Sequence, residues 1–344
     1  MAVSIVVGGQ YGSEGKGKVA HHLAKERGAR AVVRVGGSNS GHTSMGDIGQ
    51  REVLRQLPTA ALEPDVLCVL AAGSYIDLDV LFEEIERVKL PSHRLLIDPN
   101  AMIVTAEDRE AEKRSGLGDR IGSTCSGTGA AVQRRVNRGT PGELAGARLE
   151  LSAYLQPVRP LLRQMLDDDA RVIIEGTQGF GLSLLHTAHF PNATSRDTTA
   201  AGALSETGLS PLDVDEVVLV LRAFPIRVAG ESGPFGAQEI DWATVALEGG
   251  HSGGLEERTS VTKRVRRVAR FDPAVVREAI TSNDPNIIVL NHIDHVDADA
   301  KTELTGHANA FVADVSEKIG RRIDLVGLGP DTLVPVRRSL RLSV

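Results

Sequence analysis

The chain has 344 residues, 41% hydrophobic and 24% charged, with a formal charge of -6. That length buries a large core, and the acidic balance excludes a general nucleic-acid surface, leaving anionic ligands to local clusters of Arg and Lys. Two cysteines exclude a disulfide framework or a four-cysteine zinc site, and an aromatic content of 3% argues against base-stacking platforms.

Val3 to Val7 is too short for a signal-peptide core and glycines follow at once, so a cytoplasmic location is expected. No apolar run reaches the ~20 residues of a membrane span. In chain order, short β-branched runs recur at 4–7, 31–35, 65–70, 94–97, 171–175, 216–221, 286–290 and 322–326. Helical periodicity falls between many of them, over Lys18 to Arg27, Leu78 to Arg87, Ala153 to Leu166 and Pro273 to Ser282. This alternation predicts an α/β fold with a mostly parallel central sheet, helices on both faces, and ligands at the carboxyl ends of the strands. Residues 223–262 read as long loops around a short helix at about 240–247, and loops of that length are usually functional. No linker divides the chain, so residues 1–344 are expected to form one domain. Cys68 reads as a core thiol and Cys125, in GSTCSGTG, as a loop thiol.

The first run leads into GQYGSEGKGK (9–18), and residues 12–18 satisfy G-x-x-x-x-G-K. In such a P-loop, backbone N–H groups and a helix N-terminus receive phosphate oxygens and a lysine neutralises them. Val19 stands where an ordinary P-loop carries the Ser/Thr that binds Mg2+. Lys16 is a further candidate for the transferred phosphoryl group. The second run enters RVGGSNSGHT (34–43), placing Asn39, His42 and Thr43 in a loop at the same sheet end. His186/His189 and His292/His295 have i, i+3 spacing, but neither pair is accompanied by a third ligand at suitable spacing, so no zinc site is expected.

These two motifs, followed by IGSTCSGTGAA (121–131), EGTQG (175–179), FPNATSRDTTAAG (190–202), TKRVRR (262–267), LNHID (290–294) and GLGPD (327–331), resemble the adenylosuccinate synthetase family over nearly the whole chain. The resemblance implies phosphorylation of the 6-oxygen of a purine monophosphate by a nucleoside triphosphate with Mg2+, then displacement of phosphate by L-aspartate. It implies catalytic roles for Ser13, Lys16 and His42. Triphosphate contacts would come from Gly12, Ser13, Glu14, Gly15, Lys16, Gly17, Gly41, His42, Thr43, Asn291, Asp294, Gly327, Gly329 and Pro330. Asn39, Thr124, Gln178 and Thr194 would hold the monophosphate with Ser13, Arg264 would meet the ribose side, and Arg138 would reach in from the second subunit of a homodimer. Ser260, Val261, Thr262, Arg264 and Arg266 would grip aspartate, Arg being suited to carboxylates by its planar fork. The bland alternative for the TKRVRR segment is a solvated basic helix. Ser13 and the carbonyl of Gly41 would face Mg2+.

Two positions depart from the family pattern. Where members read T-K-L-D, with an acid for guanine of GTP, this chain reads Asn291-His292-Ile293-Asp294, which makes an adenine donor, ATP or dATP, plausible. Ser13 replaces an acid that takes the purine N1 proton and ligates Mg2+. A hydroxyl is no base near neutrality and a weaker metal ligand. Three readings are open: an inactive protein, an ordinary IMP enzyme tolerating the change, or a different purine. Ser in place of Asp makes room for a 2-amino group and offers it an acceptor, which points to dGMP and resembles the phage 2-aminoadenylosuccinate synthetases. A P-loop GTPase-like binding module is the rival of another class, but it predicts Ser/Thr at position 19.

Overall fold

The computed structural model describes residues 2–46, 49–140, 143–259 and 263–336. Nine strands make the central sheet: β1 Val3–Gly8, β2 Ala31–Arg34, β3 Leu67–Leu70, β4 Leu95–Ile97, β5 Val172–Glu175, β6 Val214–Arg222, β7 Ile287–Asn291, β8 Leu325–Gly327 and β9 Leu333–Pro335. Their spatial order is β9-β8-β7-β6-β1-β5-β2-β3-β4, parallel throughout except for the β8–β9 edge pair. Each of the eight β-branched runs in the sequence became one of β1–β8. The edge strand β9 (LVP) ends on a proline and was not among the runs.

Burial on both faces explains why these strands read as continuous apolar runs. Val3, Ile5 and Val7 of β1 pack with Val158, Leu162, Val276 and Val312 on one face, while Val6 packs with Val19, Ala20 and Leu23 on the other. Alternate residues of a strand point to opposite faces, so helix α1 (Lys16–Glu26) covers one side. The other side is covered by α6 (Val158–Asp167), α7 (Ala200–Thr207), α9 (Pro273–Asn283) and α10 (Gly306–Ile319). Between β3 and β4 lies α2 (Leu78–Val88), whose Asp77 cap accepts from Val80 N. Helices α3 (Ala106–Arg114), α4 (Leu117–Ile121) and α5 (Thr128–Val136) follow β4, and α8 (Trp242–Glu248) follows β6.

Three expectations are corrected. Helix α6 begins at Val158, not Ala153, because Pro157 occupies the cap position and the Val158 N–H donates to Asp98. His42 and Thr43 are not loop residues: His42–Met45 pairs antiparallel with Arg51–Leu54. The alternative of a solvated basic helix does not hold for the described part of this segment, since Arg267–Ala269 is the middle strand of a small sheet with Ile226–Arg227 and Glu239–Ile240. No helix among the described residues is long and apolar enough to cross a membrane.

Candidate active site

The sheet ends in a row of buried polar residues. Arg34 closes β2, Glu175 β5, Arg222 β6 and Asn291 β7, each at most 2% exposed. Arg34 pairs in register with Glu175, and Arg222 with Asn291. Polar side chains this deep persist only when paired, and their partners shape two glycine loops.

Beyond β1, the loop 9–15 folds around Glu14. Its carboxylate accepts from the N–H groups of Gln10 (3.2 Å) and Gly12 (2.8 Å) and binds Lys16 Nζ at 2.6 Å. Glu14 is thus an internal brace. A Cβ at Gly8 or Gly179 would lie 2.6 or 2.2 Å from that carboxylate. Gly15 has φ +91°, and Asn291 Nδ2 donates to the Glu14 carbonyl beside it at 2.8 Å. At Gly17 a Cβ would meet the Cβ of His42 and Cγ2 of Thr59 at 2.7 Å, so the close approach of α1 to the second loop there requires glycine. Lys18 Nζ donates to the carbonyls of Gly329 (2.8 Å) and Thr332 (3.2 Å), drawing the turn that contains Gly329 and Pro330 to the same corner. Gly327 adjoins Asn291 and Lys18 there. Asp294 follows β7, its carbonyl accepting from His251 at 2.8 Å.

His42 is 6% exposed, and its Nδ1 lies 2.5 Å from Glu175 Oε1. That oxygen also accepts from Arg34 at 2.9 Å, and Oε2 accepts from Thr59 N at 2.9 Å. Burial and the Arg34 charge outweigh Glu175 and lower His42 to about 3, leaving the ring neutral. Burial alone would raise Glu175, but His42 and Arg34 hold it down to about 2. A carboxylate partner at Nδ1 requires the ring proton there, so Nε2, buried without a partner, carries a lone pair. Arg34 also donates to the Ser40 carbonyl at 2.7 Å, holding the loop ahead of His42. Glu175 and Arg34 were not singled out from sequence. The only signal was a charge closing each of two apolar runs.

A cleft of about 750 Å³ opens in front of these loops. Gly12, Ser13, Asn39, Gly41, Thr124, Gln178, Thr194, Arg264 and Arg266 all line it, so residues from six separate segments converge. Arg138 is exposed and is not on this chain's cleft wall. Ser260, Val261 and Thr262 lie outside the described residues. Ser13 has φ +57°. Its carbonyl accepts from Arg222 Nη1 at 3.0 Å and its Oγ from Arg266 Nη1 at 2.5 Å.

The structure supplies the third neighbour that spacing did not show for His292 and His295. Their Nδ1 atoms lie 3.9 and 3.8 Å from Glu257 Oε1. Glu257 is already engaged by both terminal nitrogens of the fully buried Arg222. Burial would raise the Glu257 carboxyl, but Arg222 holds it well below the usual carboxylate range. A cation beside that guanidinium would meet like charge, so the cluster is an ion pair flanked by two imidazoles. Burial and Arg222 keep both rings neutral.

A glycine loop and helix at the centre of a parallel sheet, facing a cleft rimmed by hydroxyls, amides and arginines, define a nucleotide-using α/β enzyme. A sequence model of adenylosuccinate synthetase matches residues 5–142 and 140–302. Adenylosuccinate synthetase from Pyrococcus sp. (strain ST700) is 34% identical over 340 residues, 96% of this chain and 97% of that protein. The Methanococcus vannielii synthetase is 35% identical over 340 residues, covering 96% and 97%. Among solved structures, cyanophage S-2L succinoaminodeoxyadenylate synthetase (PurZ), bound to dGMP and to dATP as an energy donor, superposes with a TM-score of 0.81 and 29% identity, covering 97% and 95%. The fully ligated Plasmodium falciparum adenylosuccinate synthetase shares the fold, with a TM-score of 0.84 and 22% identity over 98% and 100%. The chain belongs to the adenylosuccinate synthetase family and is a C–N bond-forming ligase.

Proposed function

We propose that the chain joins L-aspartate to C6 of dGMP, with ATP or dATP as phosphoryl donor, giving 2-amino-2′-deoxyadenylosuccinate, the nucleoside diphosphate and phosphate. The observation that carries this reading is Ser13: a small neutral hydroxyl on the cleft wall where the family carries an acid. It leaves room beside C2 and an acceptor for the guanine amino group. The likeness to a synthetase bound to dGMP and dATP supports the same choice, as does His292 in place of the family's lysine.

In this reading Asn39, Thr124, Gln178, Thr194 and the Arg138 of a second copy hold the monophosphate. Arg264 meets the ribose, and Arg266 with the 260–262 segment binds aspartate. The 6-oxygen sits against Nε2 of His42. As O6 takes the phosphoryl group, N1 gives its proton to a phosphate oxygen of the donor, while His42, oriented by Glu175, faces O6. Gly12, Ser13, Glu14, Gly15 and Gly17 present the triphosphate with backbone N–H groups, together with Gly41 and Thr43. Lys16, released from Glu14, supports the moving phosphoryl group. Asn291, Asp294, Gly327, Gly329 and Pro330 form the corner for the donor's nucleoside.

The protein groups fit Mg2+ poorly by themselves. Gly41 offers a carbonyl, Ser13 a hydroxyl that accepts from Arg266, and the only carboxylate of the loop is turned toward Lys16. Mg2+ would draw most of its ligands from substrate phosphates and water.

The second reading, IMP with GTP, is favoured by the curated relatives at 33–35% identity, all adenylosuccinate synthetases. A matrix of dGMP, GMP and IMP against ATP, dATP and GTP, scored for aspartate-dependent phosphate release, separates the two. Turnover of IMP with dGMP untouched defeats the dGMP reading. Ser13→Asp is expected to impair dGMP turnover, and equal or faster turnover contradicts the space-making role.

A further inference from the structure

We infer that Arg266 sets the hydrogen-bonding state of the Ser13 hydroxyl, so that binding of a dicarboxylate and recognition of a purine 2-amino group are coupled. The inference rests on the reading above, which places both ligands in this cleft. Ser13 is held at two points by two different arginines. Its carbonyl is fixed by Arg222 at 3.0 Å, which pins the backbone, while Arg266 Nη1 reaches the hydroxyl at 2.5 Å. The hydroxyl is therefore the adjustable part.

Arg266 has little else to neutralise it. Its Nε is 3.9 Å from Glu257 Oε2, and Glu257 is occupied by Arg222. A second contact, from Nε to the Arg258 carbonyl, is long at 3.3 Å. A partly shielded guanidinium on a cleft wall is thus spending one N–H on a neutral oxygen. Charge-assisted bonds to carboxylate are roughly twice as strong as bonds to a neutral acceptor, and the planar fork favours two parallel ones. An arriving dicarboxylate wins Arg266 from Ser13.

The consequence falls on the purine. A serine oxygen has two lone pairs and one proton. While Arg266 holds one lone pair and polarises the oxygen, Oγ is a weaker acceptor for an amino group at C2. Once Arg266 turns to a carboxylate, both lone pairs are free. Guanine gains from this and hypoxanthine, with hydrogen at C2, does not. Coupling of this kind is reciprocal: a 2-aminopurine must tighten the dicarboxylate by the same factor.

The test is calorimetric titration of the full chain, without triphosphate, using dGMP and dIMP in the absence and presence of saturating succinate. Succinate has both carboxylates but no amino group, so it cannot react. Succinate is expected to tighten dGMP roughly threefold to tenfold more than dIMP, the scale of one net hydrogen bond. Ser13→Ala should erase that difference with the thermal midpoint unchanged. Ser13→Gly, which suits the φ of +57°, should do the same if Ala disturbs the loop. An equal effect of succinate on the two purines overturns the coupling while leaving dGMP a ligand, as does a difference that survives both variants. Binding of dIMP but not dGMP in either state sinks the coupling together with the substrate reading.

Discussion

His42 gathers its chemistry from neighbours on other strands. Its Nδ1 is tied to Glu175, its charge is opposed by Arg34, and its Nε2 is left bare. His42→Asn retains a donor toward Glu175 but removes the ring that faces the 6-oxygen, and is expected to lower kcat by about 10²–10⁴-fold in an aspartate-dependent phosphate-release assay. The same pair predicts a stability profile. His42 falls from 6.5 to about 3 and Glu175 from 4.5 to about 2 on folding, so the unfolded chain binds more protons across both intervals. Their contribution is complete above pH 6.5 and is lost as pH falls toward 3 and then 2. Urea midpoints should decline from about pH 7 to pH 5, and His42→Asn should flatten that decline. An unchanged slope in the variant would mean that His42 is protonated in the fold.

At the scale of elements, the first turn of α1 comes closest to the second loop at Gly17, and His21 of α1 hydrogen-bonds Ser44 beyond it. Gly17→Ala would drive a Cβ to 2.7 Å from both His42 and Thr59. The expected cost is about 1–3 kcal/mol, as for overpacked sites, read from urea unfolding, with a weaker apparent affinity for the triphosphate. Wild-type stability in this variant would show that the two elements separate freely. The helices show what local pattern can and cannot reveal. Lys16–Glu26, Leu78–Val88 and Pro273–Asn283 lie close to where periodicity placed them, because each buries one stripe on the sheet. Helices α3, α4 and α5 were not foreseen. They are short and polar, and α3 holds its place through long-range contacts: Glu112 accepts from Gly127, Gly129 and Ala130, and Asp108 pairs with Arg134.

At the scale of the molecule, β1 sits between β5 and β6, so the glycine loop emerges at the middle of the sheet with one polar strand end after another beside it. The cleft wall lacks Arg138 of its own chain, which in our reading comes from a second copy. Mixing inactive His42→Asn with inactive Arg138→Ala tests this. If Arg138 crosses the interface, half the dimers are mixed and carry one intact site, so about a quarter of wild-type activity should return in a symmetric dimer. No recovery after confirmed subunit exchange would place Arg138 outside the partner's site.

The sequence by itself determined the strands of the parallel sheet, since continuous apolar runs have no other stable place than a doubly covered interior. It also determined the glycine loop after β1, because its glycines and lysines are local. Only the tertiary structure decided that Glu14 is an inward brace, that Glu175 and Arg34 set the state of His42, and that Glu257 and Arg222 lie beside His292. It alone placed Arg266 on the hydroxyl of Ser13, 253 residues away in the chain. Pairing of buried charges depends on strand order and register, and neither is carried by the spacing of residues along one segment.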